Sequence, residues 1–243
     1  MPQLSAEPDP QPDEQKPPAV TARGITLRGP RGPVYGPVDL DIAEGGVTAL
    51  VAPSGVGRTA LLLTLAGRMR PGSGEVTVFG RKRARDIFGL AAVAAVEDVD
   101  AVPESVTVGD VVTEQRRWDA PWYRLVPRAG GDDLAALCAP VFGDLPLPPL
   151  GAAFDELTEL DQFLLRIALA NTSRPPLLVV GDLDHIADDR SRELVLGRLI
   201  ALGEQQTVVT ATVNPVGNPA VTHLAVPNTA PAELAAATQR GEK

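Results

Sequence analysis

Two local patterns meet between Val47 and Ala66 and leave few folds open to the chain. Val47-Thr48-Ala49-Leu50-Val51 is a short β-branched and apolar run entered through Gly45-Gly46, which predicts a buried strand. Thr59 to Ala66 is apolar and rich in Leu, and it stops at Gly67 with Pro71 beyond, which predicts a helix. Between them stands Ala52-Pro53-Ser54-Gly55-Val56-Gly57-Arg58-Thr59. It follows the pattern G-x-x-x-x-G-K-[ST], with Ala52 in place of the first Gly and Arg58 in place of the Lys. In a strand–loop–helix of this kind successive backbone N–H groups point into one concavity, and the helix N-terminus adds partial positive charge. A polyphosphate is then held largely by main chain, so Ala52, Pro53, Ser54, Gly55, Val56, Gly57, Arg58 and Thr59 are the candidate nucleotide-binding residues. Arg58 keeps the positive charge of a Lys, but its planar fork is not a compact point charge. Ala52 is costly only if its backbone needs positive φ.

Size and charge exclude several classes of function. The 243 residues, 44% of them hydrophobic, suffice for one α/β unit with a smaller inserted part. A net charge of −9 argues against a general nucleic-acid binder, which shows a basic footprint. The local run Arg81-Lys82-Arg83-Arg85 reads as a solvated strand end. Cys138 is the single cysteine, so no intrachain disulfide forms, and a reducing cytoplasm fits. No apolar run approaches the roughly 18 residues that cross a bilayer, and the N-terminal residues carry no signal core. Residues 1–18, rich in Pro and acidic side chains, are expected to be a disordered tail. Order is expected over 19–228, with 229–243 as a C-terminal tail. Val20 to Leu27 and Val38 to Ile42 alternate like half-buried strands about a turn at Gly29-Pro30-Arg31-Gly32-Pro33.

A second segment lies just past the loop. Leu65-Ala66-Gly67-Arg68-Met69-Arg70-Pro71-Gly72-Ser73-Gly74-Glu75-Val76-Thr77-Val78-Phe79-Gly80 resembles the helix exit, glycine turn and strand of ATP-binding cassette (ABC) ATPases. With Val38 to Gly46 upstream, the likeness covers some sixty residues without a break. It implies an α/β P-loop NTPase of the ABC type, with a RecA-like core sheet, an antiparallel β subdomain and an inserted helical subdomain near 105–170. It also implies ATP and Mg2+ as ligands, an integral membrane protein of the permease kind as partner, and a dimer with a second ABC ATPase, identical or different. Such a protein is cytoplasmic and reaches the membrane through its partner.

The family's functional letters are altered throughout. Leu177-Leu178-Val179-Val180-Gly181-Asp182 resembles the Walker B strand in two registers. In the first, Gly181 takes the place of the magnesium-binding Asp and Asp182 that of the catalytic Glu, with Asp188 at the D-loop position; this register is preferred. In the second, Asp182 serves magnesium and Leu183 replaces the catalytic acid. Thr59 supplies a hydroxyl for the metal, and Glu97 stands at the Q-loop position, where it can reach the metal but adds negative charge. Val213 occupies the switch-histidine position and offers no side-chain hydrogen bond. The signature loop L-S-G-G-Q is replaced by Leu157-Thr158-Glu159-Leu160-Asp161, where Thr158 is either a substitute hydroxyl or a helix cap.

Three other features are weighed. Tyr35 is a candidate to stack on adenine, or it packs under a turn. His185 and His223 have no metal-ligand companions at suitable spacing. Trp118, Trp122 and Tyr123, with Arg116, Arg117 and Arg124, form either an interface cluster or subdomain core. Phosphoryl transfer to water needs a bridging metal and a group that orients the water. The expected function is therefore an ATP-binding transporter subunit with weak or absent hydrolysis. The alternatives are an active ABC ATPase with Asp182 as its base, and a scaffold that binds no nucleotide.

Overall fold

A computed structural model describes residues 17–103 and 105–229. The proposed tails, 1–18 and 229–243, lie almost wholly outside the described residues. Two sheets organise the chain. Strands β1 (Val20–Gly29), β2 (Gly32–Ile42) and β4 (Ser73–Val78) form an antiparallel sheet in the order β2-β1-β4. Strands β3 (Val47–Val51), β5 (Ala91–Ala94), β6 (Leu177–Asp182), β7 (Thr207–Thr212) and β8 (Val221–Ala225) form a parallel sheet in the order β5-β6-β7-β3-β8. Helices are α1 (Val56–Leu65), α2 (Ala84–Leu90), α3 (Val108–Asp119), α4 (Gly131–Phe142), α5 (Glu159–Ala170) and α6 (Asp189–Gly203).

The parallel strands are apolar on both faces because both faces are covered. Alternate residues of β6 therefore enter different cores. Leu178 and Val180 join Val112, Phe142, Phe154 and Leu164 on the side of the helices inserted between β5 and β6. Leu177 and Val179 join Ile25, Ile42, Leu61 and Leu65, so α1 is packed between the two sheets. The first hairpin differs from its expected form: Gly29 pairs with Gly32, which shrinks the turn to Pro30-Arg31 and carries β2 back through Tyr35. Cross-strand pairing there supplies what the weak β-propensity of Gly32 to Pro37 lacks.

One irregularity positions the site. Val179 pairs with Val209, but the next β6 partner is Asp182 on Ala211, so β6 carries one residue more than β7 over the same span. This bulge turns the end of β6 and re-aims its last side chain. The loop after β5 is fixed too: Asp100 accepts from the Ala95 and Val96 N–H groups at 2.6 and 2.9 Å and pairs with Arg166 of α5. Among the described residues no helix is long and apolar enough to cross a membrane. Cys138 is buried in the helical core, which pushes its thiol pKa up to about 12.

Candidate functional site

The loop between β3 and α1 opens onto a cleft of about 540 Å³ lined by Ser54, Gly55, Arg58, Thr59, Glu97, Asp182 and His185, with Leu27, Val34 and Met69 on its apolar side. The site sits at the carboxyl ends of the parallel strands, where such sheets bind ligands. Gly55, at positive φ, caps α1, and Arg58 N–H bonds the Gly55 carbonyl at 3.1 Å. The Gly57 Cα lies against the Thr229 and Val34 carbonyls with no room for a Cβ. Ala52 has no positive φ, and its N–H bonds the Thr212 carbonyl at 3.0 Å, so the missing glycine there carries no strain. The Val56 and Gly57 N–H groups, the first two of α1, have no intrahelical acceptor.

The side chain at the lysine position goes elsewhere. Arg58 is 3% exposed. Its guanidinium forms an ion pair with Asp182, meets Asp184 Oδ2 at 3.1 Å and donates to the Ala52 carbonyl at 3.2 Å. Burial pushes its pKa below the ordinary value, and the Asp184 carboxylate opposes that shift. Asp184 in turn accepts from the Val213 N–H at 2.6 Å and from the Thr212 hydroxyl at 3.1 Å. Asp182 also accepts from the Asp184 N–H at 3.0 Å. Phosphate loop, β6 turn and β7 terminus, three parts that would surround a γ-phosphate, are thus tied to one another through charged hydrogen bonds.

The expected residues separate into those gathered here and those placed elsewhere. Thr59, Glu97 and Asp182 face one cleft. Gly181 does not, because a Cβ there would run into the Ala95 carbonyl. Asp182, carried round by the bulge, is the acid that meets the phosphate loop. Asp188 caps α6, accepting from the Ser191 N–H at 2.7 Å, and the Ser191 hydroxyl, with that N–H, holds its carboxyl below the usual range. Thr158 caps α5, accepting from the Asp161 N–H at 3.1 Å, which accounts for its hydroxyl without a ligand.

Tyr35 is a correction. It is 1% exposed, and its hydroxyl bonds Thr64 Oγ1 of α1 at 2.8 Å, so its ring is core and cannot stack on a base in the cleft. Leu27, Val34 and Met69 take the place nearest the cleft instead. Tyr35→Phe is expected to cost about 1 kcal/mol, the net worth of one buried hydrogen bond, while leaving nucleotide affinity unchanged. Chemical denaturation beside a nucleotide titration checks both halves.

His185 lies at the cleft without belonging to a metal group among the described residues. The fold places its Nε2 at 3.4 Å from Glu97 and 3.9 Å from Asp182. His223 accepts from the Val216 N–H at 3.1 Å and stays apart from the cleft. Asp184 was missed altogether, although an acid two residues past the strand-end Asp182 was visible. No group of three or more His, Cys, Asp or Glu side chains suited to a metal occurs among the described residues.

The family model described as ABC transporter matches residues 35–179. The chain belongs to the ABC transporter family. This cassette is 33% identical over 194 residues to the ABC transporter ATP-binding protein RamB of Streptomyces coelicolor, covering 74% of the chain and 30% of RamB. It is 32% identical over 187 residues to the hemin import ATP-binding protein HmuV of Nocardia farcinica, covering 72% of the chain and 62% of HmuV. The chain therefore spans less than two thirds of either relative. Among solved structures, an ABC transporter ATP-binding protein from Pyrococcus furiosus superposes with a TM-score of 0.65 at 18% identity, over 85% of this cassette and 96% of that chain. The α/β core sheet, antiparallel sheet and helical insert are those of the ABC fold.

Proposed function

We propose that this cassette is the ATP-binding subunit of an ABC transporter-like assembly, holding ATP on its main-chain cradle with slow hydrolysis or none. One observation carries this reading: Arg58, at the lysine position, is committed to Asp182 and Asp184 inside the protein. The cradle fits a polyphosphate, since its glycines and helix N-terminus are in place. A magnesium ion has a weaker fit. Thr59 and Glu97 would hold it, but Asp182 must serve Arg58 as well. Magnesium, when bound, neutralises charge on the phosphates. Thr59, Glu97 and Asp182 would orient it, and Arg58 would hold phosphate charge only after release from its two carboxylates. Val213 offers the switch position only a backbone N–H, already given to Asp184. As the family implies, the partners would be a permease-like integral membrane protein and a second cassette. A homodimer would join two poor sites, which favours a heterodimer or a regulatory use of binding.

A nucleotide titration with and without Mg2+, read beside phosphate release, tests this. Magnesium-independent binding without release is the expected result. Steady release would establish the active-ATPase alternative, and no binding the scaffold. Asp184→Asn removes one charge-assisted bond from Arg58, worth about 1.5 kcal/mol or more. It is therefore expected to raise ATP affinity about tenfold. Unchanged affinity in calorimetry would mean that the ion pair does not compete with phosphate.

A further inference from the structure

Nucleotide binding leaves one surface of the cassette unused. At the end of α3 and in the turn that follows, Trp118, Trp122, Tyr123 and Leu125 are 77, 95, 74 and 96% exposed, more than any other large hydrophobic side chain described. Such exposure excludes the reading of these aromatics as subdomain core. The Trp122 and Tyr123 rings meet edge to face, with 5.9 Å between their centroids. Residues 116–128 hold four arginines against a single acid, Asp119, in a chain whose net charge is −9. Arg116 pairs with Asp133 at 3.0 Å and Arg128 with Asp110 at 3.2 Å. Arg117 and Arg124 have no carboxylate within ion-pair distance among the described residues.

This composition matches the surface layer of a lipid bilayer. Trp and Tyr prefer the headgroup level of a bilayer, where an apolar ring and a polar edge are both satisfied. Guanidinium groups beside them are drawn to anionic lipid phosphates. The acidic remainder of the chain does not cancel this, because charges more than a Debye length away, about 10 Å at 0.1 M salt, are screened. We propose that the turn Arg117 to Leu125 is a membrane-surface element, with Trp118, Trp122, Tyr123 and Leu125 in the interfacial layer of an anionic bilayer and Arg117 and Arg124 on its phosphates. The inference needs neither nucleotide nor permease, so its failure would leave the function proposed above untouched.

The chain contains two tryptophans, and both lie in this patch. Tryptophan emission of the full, unmodified chain therefore reports on it alone. Vesicles of phosphatidylcholine with a minority of phosphatidylglycerol should shift the emission to the blue and carry the protein down on sedimentation. Binding should be about tenfold weaker on pure phosphatidylcholine and should fall as salt rises. Arg117→Gln with Arg124→Gln, and separately Trp122→Ala with Leu125→Ala, should each cut sedimentation about tenfold. These side chains are exposed, so the variants keep the fold, which circular dichroism checks. No blue shift on anionic vesicles, equal binding to neutral ones, or a shift only when vesicles carry a permease would each overturn the proposal.

Discussion

Replacing Asp182 by Ala is expected to lower stability by about 3 kcal/mol, because it leaves the buried Arg58 guanidinium without one of its two counter-charges. The side chains of Arg58 and Asp182 are 4 and 8% exposed, so water cannot take over the role of the lost carboxylate. Removing one partner of a buried pair costs about 3–5 kcal/mol, and Asp184 and the Ala52 carbonyl hold this case near the lower end. For a chain of this size the melting temperature should fall by about 6–12 °C. Removing both charges at once, as in Arg58→Met with Asp182→Leu, should recover all but about 1 kcal/mol, since a well-packed apolar pair avoids the desolvation cost. Thermal denaturation of the two single variants and the double variant, without nucleotide, decides this. If Asp182→Ala melts with the parent protein, the ion pair is not a structural element and Arg58 is free to turn toward phosphate.

Placing an acid at position 181, where one of the two alignments puts the family's magnesium ligand, should break the protein. A Cβ on Gly181 would run into the Ala95 carbonyl, and that carbonyl lies directly beyond β5, which pairs with β6 from Ala91 to Ala94. Neither backbone can move without unpairing the sheet edge. Gly181→Ala is expected to cost about 3 kcal/mol, the upper end for overpacking. Gly181→Asp adds a buried carboxylate without a partner and should leave no soluble folded protein. Urea unfolding of the first variant and expression of the second are the measurements. A folded Gly181→Asp variant that releases phosphate would show that the acid at 181 was the missing catalytic part.

These two expectations mark where reading the chain in one dimension stops. Asp182 and Arg58 were both candidates from their motifs, and their types were right for a phosphate site. Nothing local said that they would bind each other. The partners are 124 positions apart, and the bulge in β6 that brings them together appears only when β6 is paired with β7. The apolar run Leu177 to Val180 does not show which of Gly181 and Asp182 the strand end turns toward the loop, so the sequence leaves two registers open. Tyr35 failed for a related cause. A tyrosine just past a turn can face either way, and its inward course follows from α1 presenting Thr64 beneath it. His185 gained Glu97 as a neighbour from the loop after β5, which no spacing within its own segment could reveal.

By itself the sequence determined the frame: β3, the glycine loop and α1 in order, the apolar runs of β6 and β7, and the antiparallel start. These are set by local quantities, namely side-chain periodicity, glycine position and β-branching, which act within a few residues. The tertiary structure alone decided what the loop's cation does. A buried guanidinium must find its counter-charges wherever packing supplies them. Here packing brought Asp182 and Asp184 to Arg58, so the strand–loop–helix frame was kept while the cation at its lysine position was drawn into the protein.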